Sequence, residues 1–330
     1  MTPKKLAIVA GGYSGEYVIS LRSVKTVMDH LDRSLYDIYK IIITKDRWYA
    51  ELEDGSETDV DKNDFSIESG GQKINFDGVF IVIHGTPGED GRLQGYFDMI
   101  GLPYTTCNAI VSALTFNKSS CNQVVKNMQV VQVANSIRLF KKGGYSIGAI
   151  LEEVNLPLFV KPNESGSSLG VSKVTEVSQL QAAIDAAFEE DNEVLVEEFI
   201  KGRELTIGVF EQDGKIVVLP PTEIISKNVF FDFEAKYTTG VTDEITPAQI
   251  PDDLRKEMEE KSEIIYKGLG CRGVVRIDYI WNSEDQHLYF LEVNTMPGQS
   301  ENSLIPQQVI AHGMSLKEFY EGIIKETLGF

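Results

Sequence analysis

The stretch Val274–Ser303 has the sequence VVRIDYIWNSEDQHLYFLEVNTMPGQSENS and carries the densest chemistry in a chain of 330 residues. Two apolar runs, 274–281 and 288–293, are separated by the polar residues 282–287. Apolar runs of this length on either side of a short polar turn are typical of a β-hairpin. The sequence therefore predicts two antiparallel strands joined by a turn at this point of the chain.

Four polar side chains fall on one face of the predicted hairpin. Because side chains alternate along a strand, Arg276 and Asp278 share a face of the first strand, and Glu292 and Asn294 share a face of the second. If Asp278 pairs opposite Glu292, these groups converge. Two carboxylates and one amide oxygen are too few for an all-protein calcium site, but they suit Mg²⁺ shared with nucleotide phosphates. The alternative is a solvated strand face on which Arg276 forms a salt bridge with Asp278 or Glu292.

Length and composition limit the class of protein. A chain of 330 residues with 42% hydrophobic residues is long enough for two or three folded domains. Binding to nucleic acid or to an anionic membrane requires a basic protein surface. The net charge of -19 argues against such a surface, so we expect neither as a partner. Three cysteines without CxxC spacing predict neither a disulfide framework nor a zinc site, and we expect a cytoplasmic protein. The apolar run LAIVA at 6–10 is expected to be a first strand, not a signal peptide.

The first third of the chain predicts an α/β unit. Its expected elements, in order, are a strand at 6–10, the loop GGYSGE at 11–16, a helix at 18–31, strands at 37–43 and 78–83, and the loop HGTPGEDG at 84–91. The first loop lacks the GxGxxG spacing of a dinucleotide site, which disfavours a nicotinamide-dependent dehydrogenase. The carboxylate of Glu16 would suit a substrate ammonium group. The alternative is that Glu16 only occupies the amino terminus of the helix, where the helix dipole favours a negative charge. The polar stretch 54–73 is expected to be an exposed excursion.

Two later loops have the composition of ligand-binding segments. The loop PNESGSSLG at 162–170 lies between predicted strands, and its glycines and serines suit phosphate oxygens, although it lacks the GK[ST] of a P-loop. The alternative is an ordinary mobile turn. The stretch 228–246 is long for a loop within a compact domain, which predicts a lid, with a disordered excursion as the alternative.

Five motifs together resemble the ATP-grasp superfamily and, within it, the D-alanine:D-alanine ligase family. They are GGYSGE with VISLRS at 11–23, HGTPGEDGRLQG at 84–95, VKPNESGSSLGVSKV at 160–174, EAKY at 234–237, and RIDY through LEVNTMPG at 276–298. The resemblance implies a three-domain α/β ATP-grasp fold with ATP between the sheets of the second and third domains. The expected domains are a Rossmann-like pre-ATP-grasp domain at 1–115, a central domain at 116–198 and a carboxyl-terminal domain at 199–330, with the lid at 228–246.

The resemblance also implies the reaction. Two D-alanine molecules would be joined with ATP through an acyl phosphate, for peptidoglycan precursor synthesis, by a homodimer that uses two Mg²⁺ or Mn²⁺ ions. Asp278, Glu292 and Asn294 would hold the ions. The nucleotide would be bound by Lys118, Lys161, Ser167, Ser168, Glu197, Glu198, Ile200, Glu204 and Lys236.

Further residues receive roles toward the two amino acids from the same resemblance. Glu16 would bind the ammonium of the first D-alanine near His84, and with Ser167 and Tyr237 would hold the lid shut. Arg276 and the Gly298 amide would face the oxyanion formed when the second amine attacks. The carboxylate of the second D-alanine would be bound by Ser303 and the Leu304 amide.

Some positions bear on these assignments. Asn117 and Asn122 stand where the family usually has Asp and Lys, which weakens the case for phosphate contacts by Lys118 relative to Lys161. Tyr237 is retained, whereas relatives that make a D-alanine:D-lactate ester usually carry another residue, so an amine is expected as second substrate. The alternatives are a ligase that joins D-alanine to D-serine or joins L-amino acids, and a silent nucleotide-binding protein. A silent protein would be expected to lack a predicted metal ligand or Arg276, and this sequence has all of these residues.

Overall fold

The computed structural model describes residues 2–164, 166, 170–226 and 242–330, which form three β-sheets with helices packed against them. This is the mixed α/β class predicted. The strands are β1 (Lys4–Gly11), β2 (Tyr36–Ile43), β3 (Trp48–Glu51), β4 (Glu57–Asp61), β5 (Ser66–Ser69), β6 (Gln72–Ile74), β7 (Gly78–Ile81), β8 (Gln132–Val133), β9 (Ser136–Phe140), β10 (Leu158–Pro162), β11 (Ser172–Val174), β12 (Glu193–Glu198), β13 (Arg203–Gln212), β14 (Lys215–Val218), β15 (Thr222–Ser226), β16 (Thr242–Ile245), β17 (Val275–Asn282) and β18 (His287–Asn294). The helices are α1 (Tyr17–His30), α2 (Arg92–Ile100), α3 (Ala109–Phe116), α4 (Lys118–Met128), α5 (Ile147–Glu153), α6 (Val177–Glu190), α7 (Asp252–Leu269), α8 (Leu304–Ala311) and α9 (Leu316–Leu328).

The first sheet has the strand order β6-β5-β4-β3-β2-β1-β7. Its strands β1, β2 and β7 are parallel and confirm the α/β unit predicted from the first third of the chain. The prediction of an exposed excursion at 54–73 is wrong, because β4, β5 and β6 extend the sheet there as antiparallel strands. Val60 and Ile67 are buried on these strands. Few apolar side chains stand among the many polar ones of this stretch, so the alternation is too weak to be recognised from sequence.

The second sheet consists of β11-β10-β12-β9, and all its pairs are antiparallel. Helices α5 and α6 cover one face and bury Leu158, Val160, Ile184 and Val196 between the layers. Strands β10 and β11 lie on either side of the glycine loop, as predicted from the loop's flanking apolar residues. The loop therefore opens at the end of a sheet whose inner face is fixed by an apolar core.

The third sheet has the order β16-β15-β13-β17-β18-β8, with β14 paired to β13. The predicted hairpin is confirmed as β17 and β18, and Asp278 lies opposite Glu292 while Arg276 lies opposite Asn294. An irregularity in the register follows between Asp278 and Tyr279. The pairing on the amino-terminal side of this irregularity brings the four polar residues to one face.

Helix α9 packs between the first and third sheets. The Phe319 ring meets Phe210 of β13 edge-on, with centroids 5.0 Å apart, and the Tyr320 ring meets Phe80 of β7 at 5.9 Å. These side chains belong to one buried cluster that also contains Leu6 of β1. Burial of aromatic area on both sides of the helix fixes the first sheet against the third.

Within the described residues, the structure contains no helix that is both long and apolar enough to cross a membrane.

Candidate active site

The polar face of the β17–β18 hairpin is organised around a buried ion pair. Arg276 donates from Nε to Asp278 Oδ1 at 2.8 Å and from Nη2 to Asp278 Oδ2 at 2.7 Å. Thr206 on the neighbouring strand donates its hydroxyl to Asp278 Oδ1 at 2.5 Å. Burial alone would lower the pKa of the Arg276 guanidinium, but Asp278 and the more distant Glu292 and Glu89 hold this pKa above its ordinary value. The salt bridge considered as an alternative from sequence is therefore present, and it lies inside the polar cluster.

The remaining members of this face are Glu292, Asn294 and a lysine from helix α4. Lys118 Nζ lies 3.5 Å from Glu292 Oε2. Asn294 accepts a hydrogen bond from the Met296 amide at 2.9 Å through Oδ1. Over the described ranges, no three His, Cys, Asp or Glu side chains come together as a metal site. An ion bound here would thus combine Asp278 and Glu292 with the Asn294 amide and with non-protein oxygens, a donor set that fits Mg²⁺.

The start of helix α4 explains one of the departures from the family pattern. Asn117 caps the helix by accepting from the Ser120 amide at 3.0 Å and donates from Nδ2 to Glu164 Oε1 at 2.7 Å. Asparagine serves as well as aspartate at such a position. Asn122 is buried one turn later, and among the described residues its Oδ1 has no hydrogen-bond partner. The structure gives no reason for asparagine at that second position.

A second ion pair lies on the sheet of the central part of the chain. Lys161 Nζ donates to Glu197 Oε1 at 2.5 Å, and both side chains are largely buried. The neighbouring Glu198 accepts from Asn135 Nδ2 at 3.3 Å, and Ile200 is buried just beyond the strand. Glu204 lies near the start of β13, the next strand along the chain. The residues predicted to bind adenine and ribose therefore follow one another along the end of β12 and the start of β13.

The glycine loop reaches the first sheet at Glu16. A Cβ atom placed on Gly166 would lie 2.9 Å from Glu16 Oε2, so a larger residue here would require the end of the Glu16 side chain to move. Glu16 immediately precedes helix α1. The predicted site residues Ser167, Ser168, Lys236 and Tyr237, and residues 228–241 of the predicted lid, lie outside the described residues.

His84 links the first sheet to the segment that follows β18. Its Nδ1 is 2.8 Å from the Met296 carbonyl oxygen, and its Nε2 is 3.1 Å from Ser23 Oγ. Since a carbonyl only accepts, the proton resides on Nδ1 and the Ser23 hydroxyl donates to Nε2. The same hydroxyl oxygen accepts from the Gln299 amide at 3.2 Å. Burial lowers the pKa of His84, which keeps this imidazole neutral near pH 7.

Glu89 is a member of this cluster to which sequence reasoning assigned no role. It is 9% exposed and accepts from the Gly85 amide at 2.9 Å. Burial, and next the negative charge of Glu16, raise the pKa of Glu89 to about 8. The HGTPGEDG motif was recognised, but nothing in it distinguishes Glu89 from Asp90, whose carboxylate pairs with the exposed Arg92. Only the folded structure separates the two carboxylates.

Three residues predicted to bind the second amino acid lie together after the hairpin. A Cβ atom on Gly298 would come within 2.7 Å of Ser303 Oγ, and that hydroxyl shares a hydrogen bond with Ser300 Oγ at 2.7 Å. Ser303 immediately precedes helix α8, whose first residue is Leu304. Amide groups in the first turn of a helix have no partner within that helix and attract anions. The geometry suits a carboxylate.

Comparison with known proteins gives matches along almost the whole chain. The family described as "D-ala D-ala ligase N-terminus" matches residues 5–107, and "D-ala D-ala ligase C-terminus" matches residues 125–325. A D-alanine--D-alanine ligase of Parabacteroides distasonis is 48% identical over 325 residues, which cover 98% of each chain. The corresponding protein of Phocaeicola vulgatus is 46% identical over 322 residues, again 98% of each.

Solved structures give the same picture. The VanG D-Ala:D-Ser ligase of Enterococcus faecalis superposes with a TM-score of 0.88 at 33% identity, over 99% of this chain and 100% of that one. D-alanyl-alanine synthetase A of Vibrio cholerae superposes with a TM-score of 0.89 at 28% identity, over 100% of both chains. The sheets and the hairpin are thus arranged as in these enzymes.

Proposed function

The chain belongs to the D-alanine–D-alanine ligase family, and on that premise we propose how its own residues join two D-alanine molecules to D-alanyl-D-alanine with ATP. This product is a precursor of peptidoglycan. The observation that carries the proposal is the pairing of Asp278 with Glu292 and of Arg276 with Asn294 on one face of the hairpin. That face supplies carboxylates for a cation and a guanidinium for a developing negative charge.

Asp278, Glu292 and Asn294 are the residues that would hold two Mg²⁺ (or Mn²⁺) ions. Bound ions would neutralise phosphate charge and orient the transferred group. In the protein as described, Arg276 and Lys118 lie against the two carboxylates and compensate their charge. Lys118 thereby stands where it would also add positive charge beside the phosphates.

The nucleotide would lie between the second and third sheets. Glu197 would accept from the adenine amine, with the backbone of Glu198 and Ile200 completing the edge, and Glu204 would bind the ribose. Lys161 is held toward Glu197 by the buried ion pair, which supports a role at the junction of base and phosphates. We assign phosphate contacts and lid closure to Ser167, Ser168, Lys236 and Tyr237 from the family resemblance alone.

The amino-acid substrates would lie where the first sheet meets the segment after β18. Glu16 would bind the first ammonium, beside His84. The first carboxylate would attack the γ-phosphate, and the second amine would then attack the acyl phosphate. Arg276 and the Gly298 amide would stabilise the oxyanion of that second step, a kind of contact worth about 3 kcal/mol per donor. Ser303 and the Leu304 amide would hold the second carboxylate in place.

We also propose the domain bounds 1–115, 116–198 and 199–330, a homodimer and a cytoplasmic location. The second bound is supported by the change of sheet between Glu198 and Arg203. Helix α4 and strand β8 belong to the proposed central domain, but they pack on the third sheet. The central domain would therefore contact the third domain through these two elements. Light scattering of the purified protein tests the dimer.

The test of the proposed reaction is ADP release by purified protein with ATP, Mg²⁺ and D-alanine. L-alanine and omission of amino acid serve as controls, and mass analysis identifies the product. Asp278→Ala should be inactive, whereas Asp285→Ala, in the exposed turn of the same hairpin, should keep full activity. D-serine belongs in the assay because one similar structure is a D-Ala:D-Ser ligase. Normal ATP binding without dipeptide from D-alanine would sink the substrate assignment.

A further inference from the structure

Away from the active site, the sulfur of Cys107 lies against the backbone of Arg272, the residue that follows Cys271. We propose that Cys107 and Cys271 form a redox-sensitive thiol pair, which closes to an intramolecular disulfide when a small disulfide compound enters the adjacent surface groove. A pair of this kind is a modification site separate from the ligation chemistry.

The two cysteines lie on segments that meet backbone to backbone. The Arg272 amide donates to Cys107 Sγ at 3.3 Å, and the Cys107 thiol lies 3.2 Å from the Arg272 carbonyl oxygen. Cys271 directly precedes Arg272 in the chain, so its side chain begins beside the backbone that the Cys107 sulfur contacts. Proximity of the two side chains is the first requirement for a disulfide.

The surrounding contacts hold these segments together whatever the state of the thiols. Arg272 donates from Nε to the Thr106 carbonyl and from Nη2 to the Tyr104 carbonyl, both at 3.1 Å. A Cβ atom on Gly273 would lie 2.1 Å from the Thr105 carbonyl oxygen, so the two backbones touch there. These contacts keep residues 104–107 against residues 271–273 in either state of the thiols.

Access distinguishes the two sulfurs. Cys271 is partly exposed and lines a groove of about 450 Å³ between strand β14 and helix α7, together with Tyr266, Gly270, Lys215 and Lys267. Cys107 is fully buried, and Cys121 is also buried and does not line this groove. An oxidant that comes from solvent must consequently react first at Cys271.

The chemistry balances with a disulfide RSSR as oxidant. The neighbouring Cys107 and burial raise the pKa of Cys271, so its thiolate is a minor species and the first step should be faster at higher pH. That thiolate attacks one sulfur of RSSR, forming a mixed disulfide and releasing RS⁻, which takes up the proton lost by Cys271. Cys107 then attacks the Cys271 sulfur, and the second RS⁻ leaves with the proton of Cys107. Two cysteine thiols are oxidised and one RSSR is reduced to two RSH. The Arg272 amide donates to Cys107 Sγ in either state of Cys271 and would stabilise the Cys107 thiolate in this second step.

The test uses the folded full chain and oxidised glutathione as the probe. Wild-type protein should lose two hydrogens in mass and two titratable thiols, and peptide mapping should join the fragments that contain Cys107 and Cys271. Dithiothreitol should restore both thiols. A wild-type map without this crosslink, or with Cys121 in the crosslink, would overturn the proposal without any variant being made.

Three single variants test the order of events. Cys107→Ser should stop at a stable mixed disulfide, with the added mass of one glutathionyl group on Cys271. Cys271→Ser should react at least tenfold more slowly than wild type, since the groove then offers no sulfur. Cys121→Ser is the matched control and should form the crosslink at the wild-type rate. Equal rates for Cys271→Ser and wild type would show that the groove is not the route of entry.

Discussion

Arg276 binds both carboxylate oxygens of Asp278, with Nε–Oδ1 and Nη2–Oδ2 distances of 2.8 and 2.7 Å. Both side chains are largely buried. We propose that Arg276 stabilises the oxyanion and that Asp278 binds the metal ions. The Asp278 carboxylate therefore fixes the position of the Arg276 guanidinium. Preorganisation of this kind allows a donor to act without reorganisation when charge develops.

The first prediction concerns Arg276→Lys. Lysine keeps the charge but cannot make two parallel hydrogen bonds, so the donor loses its fixed direction. We expect kcat to fall by about 100-fold, with a smaller change in the KM for ATP. Steady-state kinetics measure both quantities. Arg47→Lys, which changes an exposed arginine paired with Asp59 on the first sheet, should leave kcat unchanged. Equal kcat values for the two variants would contradict the proposed role of Arg276.

The second prediction concerns Glu292→Gln. Loss of one carboxylate charge weakens cation binding more than it disturbs the strand, because glutamine has nearly the same shape. The Mg²⁺ concentration for half-maximal activity should rise by about tenfold or more. Glu284→Gln lies on the exposed turn of the same hairpin, where Glu284 pairs with Lys201, and should leave this concentration unchanged. An unchanged Mg²⁺ requirement in Glu292→Gln would remove Glu292 from the proposed metal site.

The third prediction concerns Gly166→Ala. The added methyl group would lie 2.9 Å from Glu16 Oε2, so the Glu16 carboxylate would have to move from the position proposed for binding the first ammonium. We expect the KM for D-alanine to rise by about tenfold, the equivalent of about 1.4 kcal/mol. Gly144→Ala is the control, because a Cβ at Gly144 meets nothing within 4 Å. If the two variants have the same KM for D-alanine, the loop does not need this contact.

The fourth prediction concerns the pH dependence of stability through Glu89. Its pKa of about 8 in the folded protein lies above the ordinary value of 4.5, so folding favours the protonated carboxyl. The stabilising contribution is complete below pH 4.5 and is lost as the pH rises through 8. Within that window the loss is about 1.4 kcal/mol per pH unit.

Glu89→Gln stays neutral and should escape this loss. Urea unfolding at pH 5, 7 and 9 should show the variant gaining stability relative to wild type as the pH rises. Glu153→Gln, at an exposed position on α5, should differ from wild type by the same amount at every pH. A constant difference for Glu89→Gln as well would mean that Glu89 titrates normally.

The fifth prediction concerns Phe319→Ala in helix α9. The Phe319 ring is fully buried between the first and third sheets, so its removal leaves a cavity. We expect the free energy of unfolding to fall by about 3–5 kcal/mol, measured by urea denaturation. Met99→Ala removes a side chain that is 86% exposed and should cost less than about 0.5 kcal/mol. A loss that small for Phe319→Ala would contradict the bridging role of this helix.

The hairpin was predictable because its information is local. Alternation over two apolar runs put Arg276 with Asp278 and Glu292 with Asn294 on shared strand faces, and the structure supplies the register, with Asp278 opposite Glu292. The pairing of Lys161 with Glu197 was not predictable, since a strand pattern does not identify the strand that becomes its neighbour. The same limit applies to Glu89, whose pKa is raised by burial and by the charge of Glu16, a residue from another loop. Site residues on one hairpin are therefore accessible from sequence, whereas contacts between elements need the fold.

The hydrogen bond from His84 to the Met296 carbonyl joins positions that are 212 residues apart. With the Ser23 hydroxyl and the Gln299 amide, it connects the region around Glu16 to the segment that contains Gly298. Direct hydrogen bonds thus tie together the two halves of the proposed amino-acid site. A chimera that exchanges residues 1–107 with those of a relative should keep its substrate preference only when residues 296–299 come from the same parent.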